Sequence, residues 1–452
     1  MALRIAVVGS GVAGLGAAYL LSRQHGVDLF EAGDTLGGHA HTVDIVVDET
    51  PLTADVGFMV FNHITYPNLV GMFEKFAVPE QDADMSFSVH CDDPDVEWKG
   101  QDLNTFFAQR GNLASASHWG LLFDIVRLSA LADRYRNDTS LEDVTLGEFL
   151  SRERFGRGFT ERYVVPMVSA IWSAPPGRML DFPASTFVRF FDNHRMLRVT
   201  DLVDITEGAH WRSVPGGSRR YVERLAAEVS GDTFTSTPVR SVARTDTGIV
   251  LTLPDGSTRS YDQVVMATHG APTLELLDDP TPAEREVLGA FPYQPNKAVL
   301  HTDPSFLPKR ELARAAWNYY ASECTLDSPE LSVTYYLNRL QRLPVPTPIM
   351  VTVNPAHEVD PGHVLAEFDF EHPLFDRAAL AAQSRVPTIQ GADRIWYAGA
   401  WQRYGFHEDG LWSAVRVAEG FGTPAPWSKD VEAMTKHAVA AALEPIPSPE
   451  AD

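Results

Sequence analysis

The stretch from Arg4 to Glu31, RIAVVGSGVAGLGAAYLLSRQHGVDLFE, constrains the fold more than any other part of this chain. Arg4 to Val8 is a short apolar run suited to a buried parallel strand. Gly9, Gly11 and Gly14 follow as G-x-G-x-x-G, with Val12 and Ala13 opening a helix. Gly9 permits a tight turn, Gly11 lets the backbone approach a diphosphate, and Gly14 lets helix and strand pack closely. The helix N-terminus then offers free N–H groups and the positive end of its dipole. VDLFE reads as a second strand ending at Glu31, with Ala32 next, and the carboxylate can accept both hydroxyls of a ribose. A glycine-rich turn without a ligand would leave the three glycines and the acid as coincidences. The pattern therefore predicts a dinucleotide site.

The residues that follow discriminate between nucleotides. Gly37-Gly38 comes just past the acid, then His39, and then Asp55-Val56-Gly57-Phe58 within TADVGFMVFNHITYPNL. This arrangement resembles the flavin-containing amine oxidase and phytoene desaturase superfamily. The resemblance implies FAD, with the Gly-Gly loop and the Asp-x-Gly segment lining it, and non-covalent binding is expected because neither cysteine lies in the C-terminal loop. His39 stands where many members carry Arg. His39 and His41 alone, with no cysteine near them in sequence, are not read as a metal site, so no metal is expected.

In that superfamily the chain returns at its C-terminus to complete the FAD site, and WYAGAWQRYGFHEDGLWSA is similar to that return. The resemblance implies that Ala398-Gly399 ends a strand beside the cofactor. It implies too that Gly410 and Leu411 bring a helix N-terminus to the flavin edge that becomes negative on reduction. Glu408 and Asp409 sit where acids cap a helix. One of them is expected to cap, leaving His407 and the other as candidate base or proton relay. Phe406 stands next to the ring position, where amine oxidases often have tyrosine. Lys297 stands about where they keep a lysine that holds water, against the alternative of an ordinary surface lysine. Val239 resembles the residue whose backbone contacts adenine.

The expected architecture is α/β: a Rossmann-type FAD-binding domain with a discontinuous α+β substrate domain. FAD-binding parts are expected at 1–79, 199–270 and 386–424. A helical substrate part is expected at 80–198, a sheet part at 271–385 and a tail at 425–452, with a short surface helix in that tail. Gly216-Gly217 precedes a helix, and Asp255-Gly256 reads as a hairpin between alternating strands. HWGLLFDIVRLSALADRYR carries apolar residues at helical spacing, and the segment after it is rich in aromatics. Such bulk is core or the wall of a tunnel for an acyl chain.

Blocks such as SAIWS, FFDNH, NKAVLHTD and YYLNRLQ resemble one bacterial branch of the superfamily, whose members are commonly encoded beside methyltransferases of the cyclopropane-fatty-acid-synthase type. Arg195 departs from the glycine that relatives tend to have after FFDNH. The branch implies FAD-dependent desaturation or double-bond isomerisation of unsaturated or methyl-branched acyl chains, with a lipid methyltransferase as a possible partner. An amine oxidase acting on a small amine or polyamine is the first alternative, and a non-catalytic flavin-bearing accessory protein the second. A formal net charge of −23 opposes nucleic-acid binding and simple electrostatic docking on anionic lipid. No apolar run approaches about 18 residues, so at most peripheral membrane contact is expected. The distant Cys91 and Cys324 are read as separate thiols, and hence a cytoplasmic setting.

Overall fold

The computed structural model describes residues 2–135, 138–141, 144–173, 175–193, 210–326 and 332–428. Arg195 and the tail helix expected beyond residue 428 lie outside the described residues.

Arg4–Val8 is the middle strand of a five-stranded parallel sheet, in the order Thr233–Phe234, Gly26–Phe30, Arg4–Val8, Gln263–Met266, Ile395–Tyr397. Its strands come from three distant stretches of chain, all short and, apart from the edge strand Thr233–Phe234, largely buried, as an inner parallel sheet requires. The helix Val12–Ser22 follows the first strand, with ten of its eleven residues buried. It is covered on one side by the sheet and on another by the C-terminal helix His407–Gly420. A small antiparallel meander, Ser241–Arg244, Ile249–Thr252 and Thr258–Tyr261, turns at Gly256 with φ +79°.

A second, seven-stranded sheet runs in the order Val364–Pro373, Tyr293–His301, Met350–Val353, Ser332–Tyr336, Trp317–Glu323, Phe87–Asp93, Val96–Lys99. All neighbours are antiparallel except Trp317–Glu323 and Phe87–Asp93. The helices Ala116–Tyr135, Leu146–Arg152, Val165–Trp172 and Ala184–Asn193 pack beside it around one aromatic-rich core. That core contains Trp98, Phe149, Phe159, Trp172 and Phe187, and Phe406 of the C-terminal loop packs against it.

The reading of the cysteines needs correction. The parallel pairing of Trp317–Glu323 with Phe87–Asp93 brings Cys91 and Cys324 together across 233 residues, and they form a disulfide with Cα atoms 5.8 Å apart. Separation along the chain said nothing about separation in space, and the compartment argument drawn from two lone thiols falls with it. Among the described residues, no helix is long and apolar enough to cross a membrane.

Candidate active site

The first strand ends in Gly9, whose φ of +98° only glycine adopts easily. Gly14 is forced by packing, because a Cβ there would lie 1.8 Å from the Gly9 carbonyl oxygen. Gly11 differs: a Cβ built on it meets nothing within 4 Å. It caps the helix Val12–Ser22 without a side-chain hydrogen bond, and the first turn carries no acid. The N–H groups of that turn are therefore left to an anion. Gly37 bridges to Gly11, and a Cβ on Gly38 would stand 3.1 Å from the Gly11 Cα, so the two glycine loops form one cradle.

Glu31 is held in place beside it. One carboxylate oxygen accepts from the Ser10 N–H at 2.9 Å and the Ser10 hydroxyl at 2.5 Å, the other from the Gly33 N–H at 2.8 Å. Ala32 is exposed next to it. The Glu31 backbone bonds the segment Phe234–Thr237, which leads directly to Val239. Val239 itself is buried against the meander.

The Asp-x-Gly segment has a structural role within the protein itself. Asp55 is buried, and its carboxylate accepts from the Thr42 hydroxyl at 2.6 Å, the Ser218 N–H at 2.9 Å and the Ser218 hydroxyl at 2.7 Å. Its backbone is clasped by the Gln341 amide. Burial pushes its carboxyl up to about 6, opposed by those hydrogen bonds. Asp55 thus ties the hairpin Thr42–Asp55 to the turn after Gly216-Gly217 and to the second sheet. Gly57 packs on the His39 carbonyl, and Phe58 donates its N–H to the same oxygen at 2.6 Å.

His39 lies in a cluster no sequence pattern announced. Its ring centroid is 5.3 Å from His372, 6.3 Å from His269 and 5.0 Å from Phe370. Burial holds His39 well below the usual histidine range and takes His372 down to about 4, so both are neutral. The His39 Nε2 is buried without a hydrogen-bond partner. Among the described residues there is no group of His, Cys, Asp or Glu that could hold a metal.

The C-terminal loop closes the site. The strand Ile395–Tyr397 ends at Ala398-Gly399, and the Gly399 N–H donates to the Ser413 hydroxyl at 2.8 Å. Gly410 permits the helix His407–Gly420 to cross Val12–Ser22, since a Cβ on it would sit 2.7 Å from Val12 Cγ1. Leu411 presses on Gly16 in the same crossing. The residues 9–14 and 405–411 are thus brought together.

Both acids cap, but they cap different helices. The Asp409 carboxylate accepts the Phe406 N–H at 2.9 Å, within its own helix. Glu408 reaches across the fold to accept the Asn68 N–H at 3.1 Å, the Asn68 side-chain amide at 2.7 Å and the Leu69 N–H at 2.9 Å. These lie at the start of the helix Pro67–Lys75, whose own N-cap Tyr66 makes no side-chain bond. Burial pushes Glu408 up to about 7 against those hydrogen bonds. Its three donors use both oxygens, so Glu408 is not presented as a base.

His407 stacks on Phe58, with ring centroids 3.9 Å apart and planes within 12°. Its Nε2 is hydrogen-bonded to the Tyr221 hydroxyl. Burial takes it down to about 3, so it stays neutral at any physiological pH. Phe406 lies between the helix start and the aromatic core, 6.3 Å from the Trp172 ring.

Lys297 is not part of this constellation. Strand alternation turns Asn296 and Ala298 inward and Lys297 to solvent, where it pairs with Glu367 at 3.0 Å. It is Asn296 that faces the cluster, bonding His372 Nδ1 at 2.9 Å. Sequence reasoning missed Asn296, Tyr221, Asn68 and Ser218. None carries a local signal, because each acts on a partner far away in the chain.

The cradle, the pre-set Glu31 and the unpartnered His39 nitrogen fit an FAD molecule, which Gly9, Gly11, Gly14, Glu31, Gly37, Gly38 and His39 would hold. Comparison with known proteins agrees. The sequence profile of a family described as flavin containing amine oxidoreductase matches residues 12–361. A Mycobacterium tuberculosis protein that bears the name flavin-containing monoamine oxidase is 26% identical over 298 residues, 63% of this chain and 61% of its own. The chain therefore matches about three-fifths of the length of that curated relative. A fatty acid isomerase of P. acnes that produces CLA superposes with a TM-score of 0.67 at 15% identity, over 93% of this chain and 99% of its own. Cyclohexylamine oxidase of Brevibacterium oxydans superposes with a TM-score of 0.62 at 14% identity, over 93% and 100%. At these identities the two structures speak for the fold.

Proposed function

The chain belongs to the flavin-containing amine oxidoreductase family, and from that premise we propose that it is an FAD-dependent oxidoreductase acting on unsaturated or methyl-branched fatty acyl chains. The reaction is desaturation or double-bond isomerisation. The observation that carries this reading is the spent charge of the C-terminal loop. Glu408 and Asp409 both serve as helix caps, and His407 is neutral. This end of the helix therefore offers no open carboxylate to a substrate ammonium. Around it stand Phe58, Trp172 and Phe406, surfaces that favour an apolar chain. The likeness in fold to a fatty acid isomerase supports the same reading.

FAD, when bound, supplies a two-electron acceptor for hydride. The protein must exclude water and align the chain while a proton leaves the neighbouring carbon. His407 is fixed by its stack on Phe58 and its hydrogen bond to Tyr221. Burial keeps it neutral, so it would orient the chain rather than hold that proton.

The name of the curated relative favours oxidation of a small amine as the second reading. One experiment separates the two. The yellow protein is mixed anaerobically with unsaturated or methyl-branched acyl lipid, or with mono- and polyamines, while flavin absorbance and lipid mass are followed. The acyl reading predicts changed lipid with the acyl arm alone. Unchanged lipid, with bleaching by an amine, would overturn it.

A further inference from the structure

The helix Ala116–Tyr135 is apolar on its outer face as well as on the inner face that packs in the core. Its polar side chains point inward: His118 Nε2 bonds the Phe106 carbonyl at 3.0 Å, and Asp124 accepts from the Gly156 N–H at 2.9 Å and Arg127 at 2.9 Å. The outward positions Ala116, Trp119, Gly120, Phe123, Val126 and Ala130 recur at helical spacing and carry no charge. Phe123 is 64% exposed and Trp119 49%. The ridge continues off the helix through Leu113, 53% exposed, whose carbonyl accepts the Trp119 indole N–H at 3.0 Å, and through Leu103. A solvent-facing helix surface ordinarily carries charge, and contiguous apolar patches of this kind mark a binding face.

We propose that this ridge is the surface by which the protein docks on a phospholipid bilayer. The proposal rests on the acyl-chain reading, because such a substrate dissolves in a bilayer. Charge selects this occupant. The chain has 60 acidic residues, yet none lies between Leu103 and Phe123, where Arg110 is the one charged residue apart from the buried His118. Arg162 donates to the Ser117 hydroxyl at the start of the helix and adds a second cation there. A body with net charge −23 is repelled by anionic headgroups, and the ridge, whose bordering acids Asp102 and Asp95 are bonded to Thr105 and Gln109, carries little of that charge, so it sets the orientation. The same charge disfavours a second copy of the chain as the occupant. Trp, Phe and Leu are the side chains that enter the interfacial layer best. The inner face of the helix, Leu121 and Leu128, belongs to the core against which Phe406 packs. Docking therefore places the bilayer on the outer side of the layer that ends at the site.

The test is flotation of the FAD-loaded full chain with vesicles of phosphatidylethanolamine and phosphatidylglycerol. Wild type is expected to float with the vesicles, and to float as well or better at raised salt, because screening removes repulsion. Trp119→Ser with Phe123→Ser should weaken binding about ten-fold or more, with FAD content and melting unchanged. If the double variant folds poorly, Phe123→Ser alone should still lose several-fold. Absence of wild-type flotation, or equal flotation of the variants, would overturn the proposal. So would a concentration-dependent dimer in light scattering that the variants abolish while vesicles bind neither form. Flotation without conversion of lipid would sink the acyl reading and leave docking standing. Conversion of micellar acyl substrate without flotation would do the reverse.

Discussion

Three consecutive ionisable residues, His407, Glu408 and Asp409, are each committed to a different partner. Replacing Glu408 by Ala strips the start of the helix Pro67–Lys75 of its acceptor and should cost about 1–3 kcal/mol in thermal or denaturant unfolding. Glu408 and His407 titrate with opposite signs. The folded chain keeps a proton on Glu408 between its usual value of 4.5 and about 7 that the unfolded chain releases, so its contribution to stability falls as pH rises through that window. The folded chain refuses His407 a proton between 6.5 and about 3 that the unfolded chain accepts, so that contribution grows as pH rises to 6.5. In melts across pH 4.5 to 7, Glu408→Gln should gain on wild type as pH rises, and His407→Asn should lose ground up to pH 6.5. Lys297→Ala, by contrast, removes an exposed ion pair and should leave flavin reduction within about two-fold. That one acid of the pair 408 and 409 caps a helix was legible in the sequence, but not that both do. That Glu408 caps a helix 340 residues away was not, because its acceptor role depends on Asn68 arriving through the fold. For Lys297, left open between a site lysine and a surface one, strand alternation gives the surface position, because a one-residue change along a strand reverses the face.

At the scale of elements, the N-terminal strand–helix–strand was fully legible, since G-x-G-x-x-G between apolar runs encodes backbone geometry locally. The order of the seven-stranded sheet was not. Its pairing of Phe87–Asp93 with Trp317–Glu323 joins segments more than two hundred residues apart, and with it came the disulfide. The glycines of the first helix make a sharp contrast that experiment can read. Gly14→Ala places a methyl into the Gly9 carbonyl and should cost about 1–3 kcal/mol or prevent folding. Gly11→Ala meets no protein atom, so the apoprotein melt should not change while FAD binding weakens. Equal loss of stability in both variants would show that Gly11 is a structural glycine only. Gly410→Ala, set against Val12 at the helix crossing, should behave like Gly14→Ala and lower the melt of the apoprotein.

For the molecule as a whole, two ends of the chain separated by some four hundred residues meet at one crossing of helices, and the glycine cradle opens beside it. The acidic body and the acid-poor ridge on the helix Ala116–Tyr135 give the protein a polarity that composition alone concealed: a total of −23 argued against electrostatic docking on anionic lipid, while the distribution of charge permits contact along one face. The most direct measurement of the central claim is titration of the apoprotein with FAD, for wild type and Gly11→Val. The account predicts one FAD per chain for wild type and binding at least about a hundred-fold weaker in the variant, with the apoprotein melt preserved. FAD bound equally well by both proteins would contradict it.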